Sequence, residues 1–130
     1  MTIANWCVLA ACLLPTATVG LAKLASAKLP SGGGRYNNKQ PREWAAGLSG
    51  WQARANAAQM NGFEILPLFI AAVVLAQQAH AEQARVDLLA LGFIGLRLAY
   101  IGLYLANVDA LRTVVWFAGV GVAIALLAMG

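Results

Sequence analysis

Residues 3–22 read IANWCVLAACLLPTATVGLA, twenty consecutive positions without a charged side chain. As a helix rising about 1.5 Å per residue, this stretch covers about 30 Å, the thickness of a bilayer's hydrocarbon core. A cleaved leader is the competing reading, because Ala25-Ser26-Ala27 resembles a cleavage site. The charge order favours a retained helix: no Lys or Arg precedes the run, and Lys23 follows it. The rest of the chain has the same character. Of its 130 residues 61% are hydrophobic and 11% charged, and the mean hydropathy is +0.69, a composition that soluble domains seldom have.

Three more apolar stretches follow, at about 55–79, 88–106 and 113–130. Together they predict one all-α domain over residues 1–130, an integral membrane bundle of four helices. Pro30, Gly32 to Gly34, Asn37, Asn38 and Pro41 make residues 23–54 the one long polar loop, and residues 80–87 and 107–111 are short turns. This length leaves no room for a large catalytic domain outside the membrane. Pro67 removes the hydrogen bond to the Phe63 carbonyl and predicts a kink just after Glu64. Gly119 and Gly121 offer close-packing positions in the last span. No internal repeat is evident, which weighs against an alternating-access transporter.

The formal charge of +4 and the pI near 9.5 follow from topology and need no nucleic acid. Lys23, Lys28, Arg35, Lys39, Arg42 and Arg54 flank the long loop and Arg112 joins them, whereas the opposite side has only Arg85. The excess predicts a cytoplasmic loop, termini in the periplasm or lumen, and Trp44 and Trp51 at the interface. Cys7 and Cys12 fall on different faces of one helix, and His80 has no second ligand near it. Neither a disulfide nor a structural metal is expected.

Polar groups within the spans carry the functional signal, because burying an ionisable side chain in a bilayer costs about 2.5 kcal/mol or more. Glu64 lies ten positions inside from Arg54, and Arg97 ten inside from Asn107. On antiparallel helices both sit about 15 Å deep, which predicts an interhelical Glu64–Arg97 ion pair. The same count aligns Asn61 with Tyr100, and Ala57 with Tyr104. Arg54, Ala57, Asn61, Glu64 and Leu68 then form one face, opposed by Arg97, Tyr100 and Tyr104, with Arg112 at the mouth. Such a group describes either a polar pocket open to the cytoplasm or interhelical glue. As a pocket it suits an anionic thiol peptide. Guanidinium groups match carboxylates, an amide reads peptide groups, and fixed positive charge favours a thiolate.

Asn61-Gly62-Phe63-Glu64-Ile65-Leu66-Pro67-Leu68-Phe69, with Arg54 upstream, resembles the second-helix signature of the MAPEG proteins, membrane-associated proteins in eicosanoid and glutathione metabolism. Arg97-x-x-Tyr100-x-x-x-Tyr104, followed by Leu111-Arg112, is similar to that family's third-helix segment, and residues 37–42 look like the first loop of its bacterial members. The resemblance implies a homotrimer in the bacterial inner membrane, with glutathione bound at each subunit interface on the cytoplasmic side. Carried over by position, Asn61, Glu64, Tyr100 and Tyr104 line the glutathione site, Arg54 and Arg97 are supporting cations, and Arg112 stabilises the thiolate, with Tyr104 or Tyr100 donating to sulfur. The second substrate is then a lipophilic electrophile or hydroperoxide that arrives from the bilayer. One position departs from the pattern: glutathione-binding members usually carry an arginine four residues before the Asn, and here Ala57 stands there. That departure keeps a second reading in view, a non-catalytic trimeric scaffold, lipid-binding protein or accessory subunit of a larger membrane complex.

Overall fold

Each apolar stretch becomes one long helix, and each helix runs about one turn past the stretch. The computed structural model describes residues 1–30 and 33–130. Its helices are α1 (Ile3–Ser26), α2 (Pro41–Ala46), α3 (Gly50–Gln78), α4 (Gln83–Leu105) and α5 (Asp109–Ala128). All but α2 are long and apolar enough to cross a membrane, so the chain is a multi-pass integral membrane protein built as a four-helix bundle. The short α2 was hidden in the polar loop. Pro41 opens it at the first helical position, where a missing N–H is harmless and the fixed φ favours the helix.

Helices α3 and α4 pack on each other, and each also packs on both α1 and α5. On α3 the buried stripe is Ala55, Ala58, Gly62, Ile65, Phe69, Ala72, Val73 and Ala76, at spacings of three and four. On α4 it is Val86, Ala90, Phe93, Arg97 and Tyr100. Phe69 and Phe93 stack across the two stripes, with centroids 4.0 Å apart and planes 5° from parallel. Leu13, Leu88, Val114 and Phe117 point outward, as lipid-facing side chains must where the solvent is hydrocarbon.

Glycine and proline set the helix spacing. A Cβ at Gly62 would lie 2.7 Å from Pro15 Cγ, so α1 approaches α3 through a gap that only glycine leaves. Pro15 and Pro67 both remain inside continuous helices. Gly119 is buried beside Phe93, whereas Gly121 is exposed with nothing near its missing Cβ. The close packing expected of both glycines therefore belongs to Gly119 alone.

The helix ends are satisfied by named groups. His80 and Asn107 adopt positive φ. Beyond them the Ala81 N–H returns to Ala76 O at 3.0 Å, and the Val108 N–H to Leu103 O at 2.9 Å. Both are Schellman closures built without glycine. At the start of α1, Thr2 Oγ1 accepts the Asn5 N–H at 3.1 Å and Asp87 Oδ1 accepts the Ala4 N–H at 2.9 Å. The carboxylate thus sits at the positive end of the α1 dipole. Gln77 and Gln83 hold the two acceptors in place, donating to Thr2 Oγ1 at 2.8 Å and to Asp87 Oδ1 at 2.7 Å. This pinning explains why Gln83 and Asp87 belong to α4 rather than to the turn before it.

Gly62→Ala is expected to lower the melting temperature of the detergent-solubilised protein, because overpacking against a proline ring costs about 1–3 kcal/mol. The same change at Gly92, where the added Cβ meets nothing within 4 Å, should raise it slightly through helix propensity. Thermal unfolding of both variants checks the pair.

Candidate functional site

The end of the bundle where α1 stops and α3 begins is where the interior turns polar. Along α4 the buried stripe changes from Val86, Ala90 and Phe93 to Arg97 and Tyr100, and Tyr104 continues it half-buried. Arg97 is only 5% exposed. Its Nη1 donates to Asn61 Oδ1 at 3.0 Å, and its guanidinium carbon lies 4.3 Å from the centre of the Tyr100 ring. Tyr100 meets Tyr104 edge-on at 5.7 Å, and the Arg112 guanidinium carbon lies 4.1 Å from the Tyr104 ring centre. Asn61, Arg97, Tyr100, Tyr104 and Arg112 therefore form one string of contacts from α3 through α4 to α5, two touching aromatic rings held between two cations.

The ion pair expected between Glu64 and Arg97 is not formed. Among the described residues the one salt bridge within 4.0 Å joins Arg85 to Glu82, at 2.9 Å. Counting along the helices gives depth, and depth alone does not give azimuth. Glu64 is exposed, one position before the buried Ile65. The Arg97 guanidinium folds along its own helix onto Tyr100, toward the polar end, and meets the amide one turn nearer that end. It lies alongside Gly62, with Nη2 3.7 Å from where a Cβ would sit, an ordinary contact distance.

Arg54 has a structural task. Its Nε and Nη2 donate to the Leu105 carbonyl at 3.2 and 3.1 Å, which satisfies an unpaired oxygen at the C-terminus of α4 and places a cation at the negative end of its dipole. Ala57 is half-buried on the same side of α3. Arg112 is half-buried and has no carboxylate within 4.0 Å among the described residues. The hydroxyls of Tyr100 and Tyr104 likewise carry no side-chain or backbone partner among those residues.

The polar pocket expected between the opposed faces is not enclosed by one chain. What lies between α1, α3 and α4 is a narrow crevice lined by Ala11, Pro15, Gly62, Phe93 and Ile101 among others, with Arg97 its one charged wall. Asn61 and Glu64 belong to a stripe of α3 at the edge of the core: Arg54, Ala57, Asn61 and Leu68 are half-buried, and Glu64 is exposed. Each precedes a residue of the core stripe by one position. Trp116 was missed. It lies one turn beyond Arg112 on the same face of α5, and its Nε1 is buried with no hydrogen-bond partner among the described residues. The spacing of four from Arg112 was the signal available for it.

Double-mutant cycles on thermal unfolding separate the two partners proposed for Arg97. Asn61→Ala and Arg97→Met are expected to couple by about 1.5–3 kcal/mol, the worth of a hydrogen bond to a charged group. Glu64→Gln and Arg97→Met should be additive within about 0.5 kcal/mol.

A family model described as the MAPEG family matches residues 3–130. No curated protein and no solved structure matches the chain. The family match spans all four membrane helices and contains every residue of the string from Asn61 to Arg112. A helical membrane bundle whose Asn61, Arg97 and tyrosines meet at one end, matched over essentially its whole length, belongs to the MAPEG family.

Proposed function

We propose that this protein is a glutathione-dependent membrane transferase or peroxidase, acting on lipophilic electrophiles or hydroperoxides through an arginine-stabilised thiolate. The observation that carries the reading is the Arg112 guanidinium, stacked on Tyr104 and facing no carboxylate among the described residues. A half-buried cation without a counter-ion favours the thiolate form of a thiol beside it. The hydroxyl of Tyr104 or Tyr100 then donates a hydrogen bond to sulfur. The thiolate attacks an electrophilic carbon, forming the thioether as the leaving group departs. With a hydroperoxide it attacks the outer oxygen, forming the sulfenic acid as the O–O bond breaks, and the departing alkoxide takes a proton from water to leave as the alcohol.

Glutathione is the thiol that MAPEG membership suggests. Asn61 would read a peptide group and Arg97 would add positive charge. Glu64, exposed on the monomer, would meet the cofactor's ammonium at a subunit interface. An exposed carboxylate at that depth supports a further copy of the chain covering this stripe, and a homotrimer is the arrangement proposed. The basic excess at the loop end supports a site facing the cytoplasm, with both termini in the periplasm of a bacterial inner membrane.

A second reading has its own observation. Ala57 lacks the cation that glutathione-binding relatives usually place there, and Arg54, one turn away, is engaged by the Leu105 carbonyl. A charged contact is worth about 1.5–3 kcal/mol, one to two decades of affinity. On that basis the chain would be a non-catalytic scaffold, lipid-binding protein or accessory subunit of a larger complex.

Titration of the detergent-solubilised protein with glutathione, followed by thiolate absorbance, decides between the readings. The expected result is a saturable signal in the wild type that Arg112→Ala abolishes. Ala57→Arg should tighten it by about one to two decades. A wild type with neither signal nor binding at high glutathione supports the scaffold.

A further inference from the structure

Residues 34–44, between α1 and α3, are tied down. The Tyr36 N–H donates to Ser26 Oγ at 2.9 Å, and the Trp44 indole N–H donates to the Gly34 carbonyl at 2.9 Å. The Tyr36 ring meets Trp44 edge-on at 5.0 Å and carries Lys23 Nζ 4.3 Å from its centre. Gly34 takes φ +93, a conformation open to glycine without strain. Held in this way, the loop and α2 wall an open basin of about 1770 Å³, its mouth included, at the loop end of the bundle.

The lining has two chemistries. Arg35 and Lys39 are its cations and Glu43 its one carboxylate, while Leu29, Trp44 and Leu48 supply apolar surface. Neither cation has a carboxylate within 4.0 Å among the described residues. Trp51, 40% exposed in the first turn of α3, marks the depth of the membrane interface beside the basin. The free cations call for an anion. The three apolar side chains among them favour one attached to an apolar body, since a small soluble anion would leave that surface in water.

We propose that the basin seats the headgroup of an anionic phospholipid from the leaflet on the loop side. Arg35 and Lys39 hold the phosphate, the guanidinium as a bidentate fork and the ammonium as a point charge. Leu29, Trp44 and Leu48 pack on the glycerol and the first acyl carbons. Glu43 limits how much negative charge the site accepts. None of this depends on glutathione, because no residue of the basin belongs to the string from Asn61 to Arg112.

The test is native mass spectrometry of the full chain, released from mixed micelles with equal amounts of phosphatidylglycerol and phosphatidylcholine. The wild type should retain phosphatidylglycerol in preference. The double variant Arg35→Gln/Lys39→Gln should lower that preference about tenfold or more, given the strength of each cation's attraction to anionic lipid. Glu43→Gln should raise it. Lys28→Gln/Arg42→Gln removes the same charge from the same loop but outside the basin, and should leave the preference unchanged. Equal retention of the two lipids by the wild type overturns the proposal. So does an equal loss in the two double variants, which would mean a diffuse surface field. Displacement of phosphatidylglycerol by inorganic phosphate at constant ionic strength would assign the basin to a soluble anion and also overturn it.

Discussion

A guanidinium group inside a membrane bundle is the constraint around which this structure is organised. Arg97 is 5% exposed, and an arginine at such a position cannot be left without partners. The chain answers with an amide on α3 and a π face on its own helix. The amide ties α3 to α4. One position along, Gly62 leaves the gap into which Pro15 of α1 fits. The buried charge and the glycine beside its partner together specify the mutual placement of three helices, where hydrocarbon-on-hydrocarbon packing would leave it degenerate.

The bundle is divided along its length. Toward the far end the interior is the Phe69–Phe93 stack with Leu126, Val73, Val86 and alanines, closed by Asp87, Thr2 and two glutamines at the start of α1. Toward the loop end the same α4 stripe becomes Arg97, Tyr100 and Tyr104, and Arg54 seals the end of α4. At the far end Thr2, Gln77, Gln83 and Asp87 are spent on one another and on the start of α1. At the loop end Arg112 and two tyrosine hydroxyls keep hydrogen-bonding capacity that the described residues do not use. The interior at that end keeps chemistry for a ligand.

Much of this was legible in the sequence because the bilayer imposes a ruler. Twenty charge-free residues give one crossing, three further apolar stretches complete the bundle, and counting residues inward placed Asn61 and Arg97 within about one turn of each other. The ruler measures height only. It could not tell that Glu64 turns outward while Asn61 turns in, since residues three apart on a helix differ by about 60° in azimuth, and both lie at the border between core and surface. The Arg54 cap was hidden for another reason. It depends on where α4 ends, which Asn107 decides by taking a positive φ that no hydrophobic pattern encodes. The order within the long loop was illegible too: its Gly and Pro residues announce a break, whereas its closure by Tyr36, Trp44 and Ser26 depends on contacts ten residues apart.

The two stripes of α3 connect fold to function. The core stripe, from Ala55 to Ala76, binds this helix to its own bundle. The stripe one position earlier carries Arg54, Ala57, Asn61 and Glu64 along the border of the core. A carboxylate on that border, facing hydrocarbon, is unfavourable by about 2.5 kcal/mol or more, and nothing within 4.0 Å among the described residues neutralises it. Glu64 is therefore a reason for this surface to be covered, and a reason that apolar substitution would remove. In the proposed assembly the cover is a second subunit with an ammonium-bearing peptide between the two. A border stripe can carry its amide and its acid for such a contact with an alanine at position 57, because the contacts that tie this stripe to α4 are made by Arg54 and Asn61 and not by Ala57.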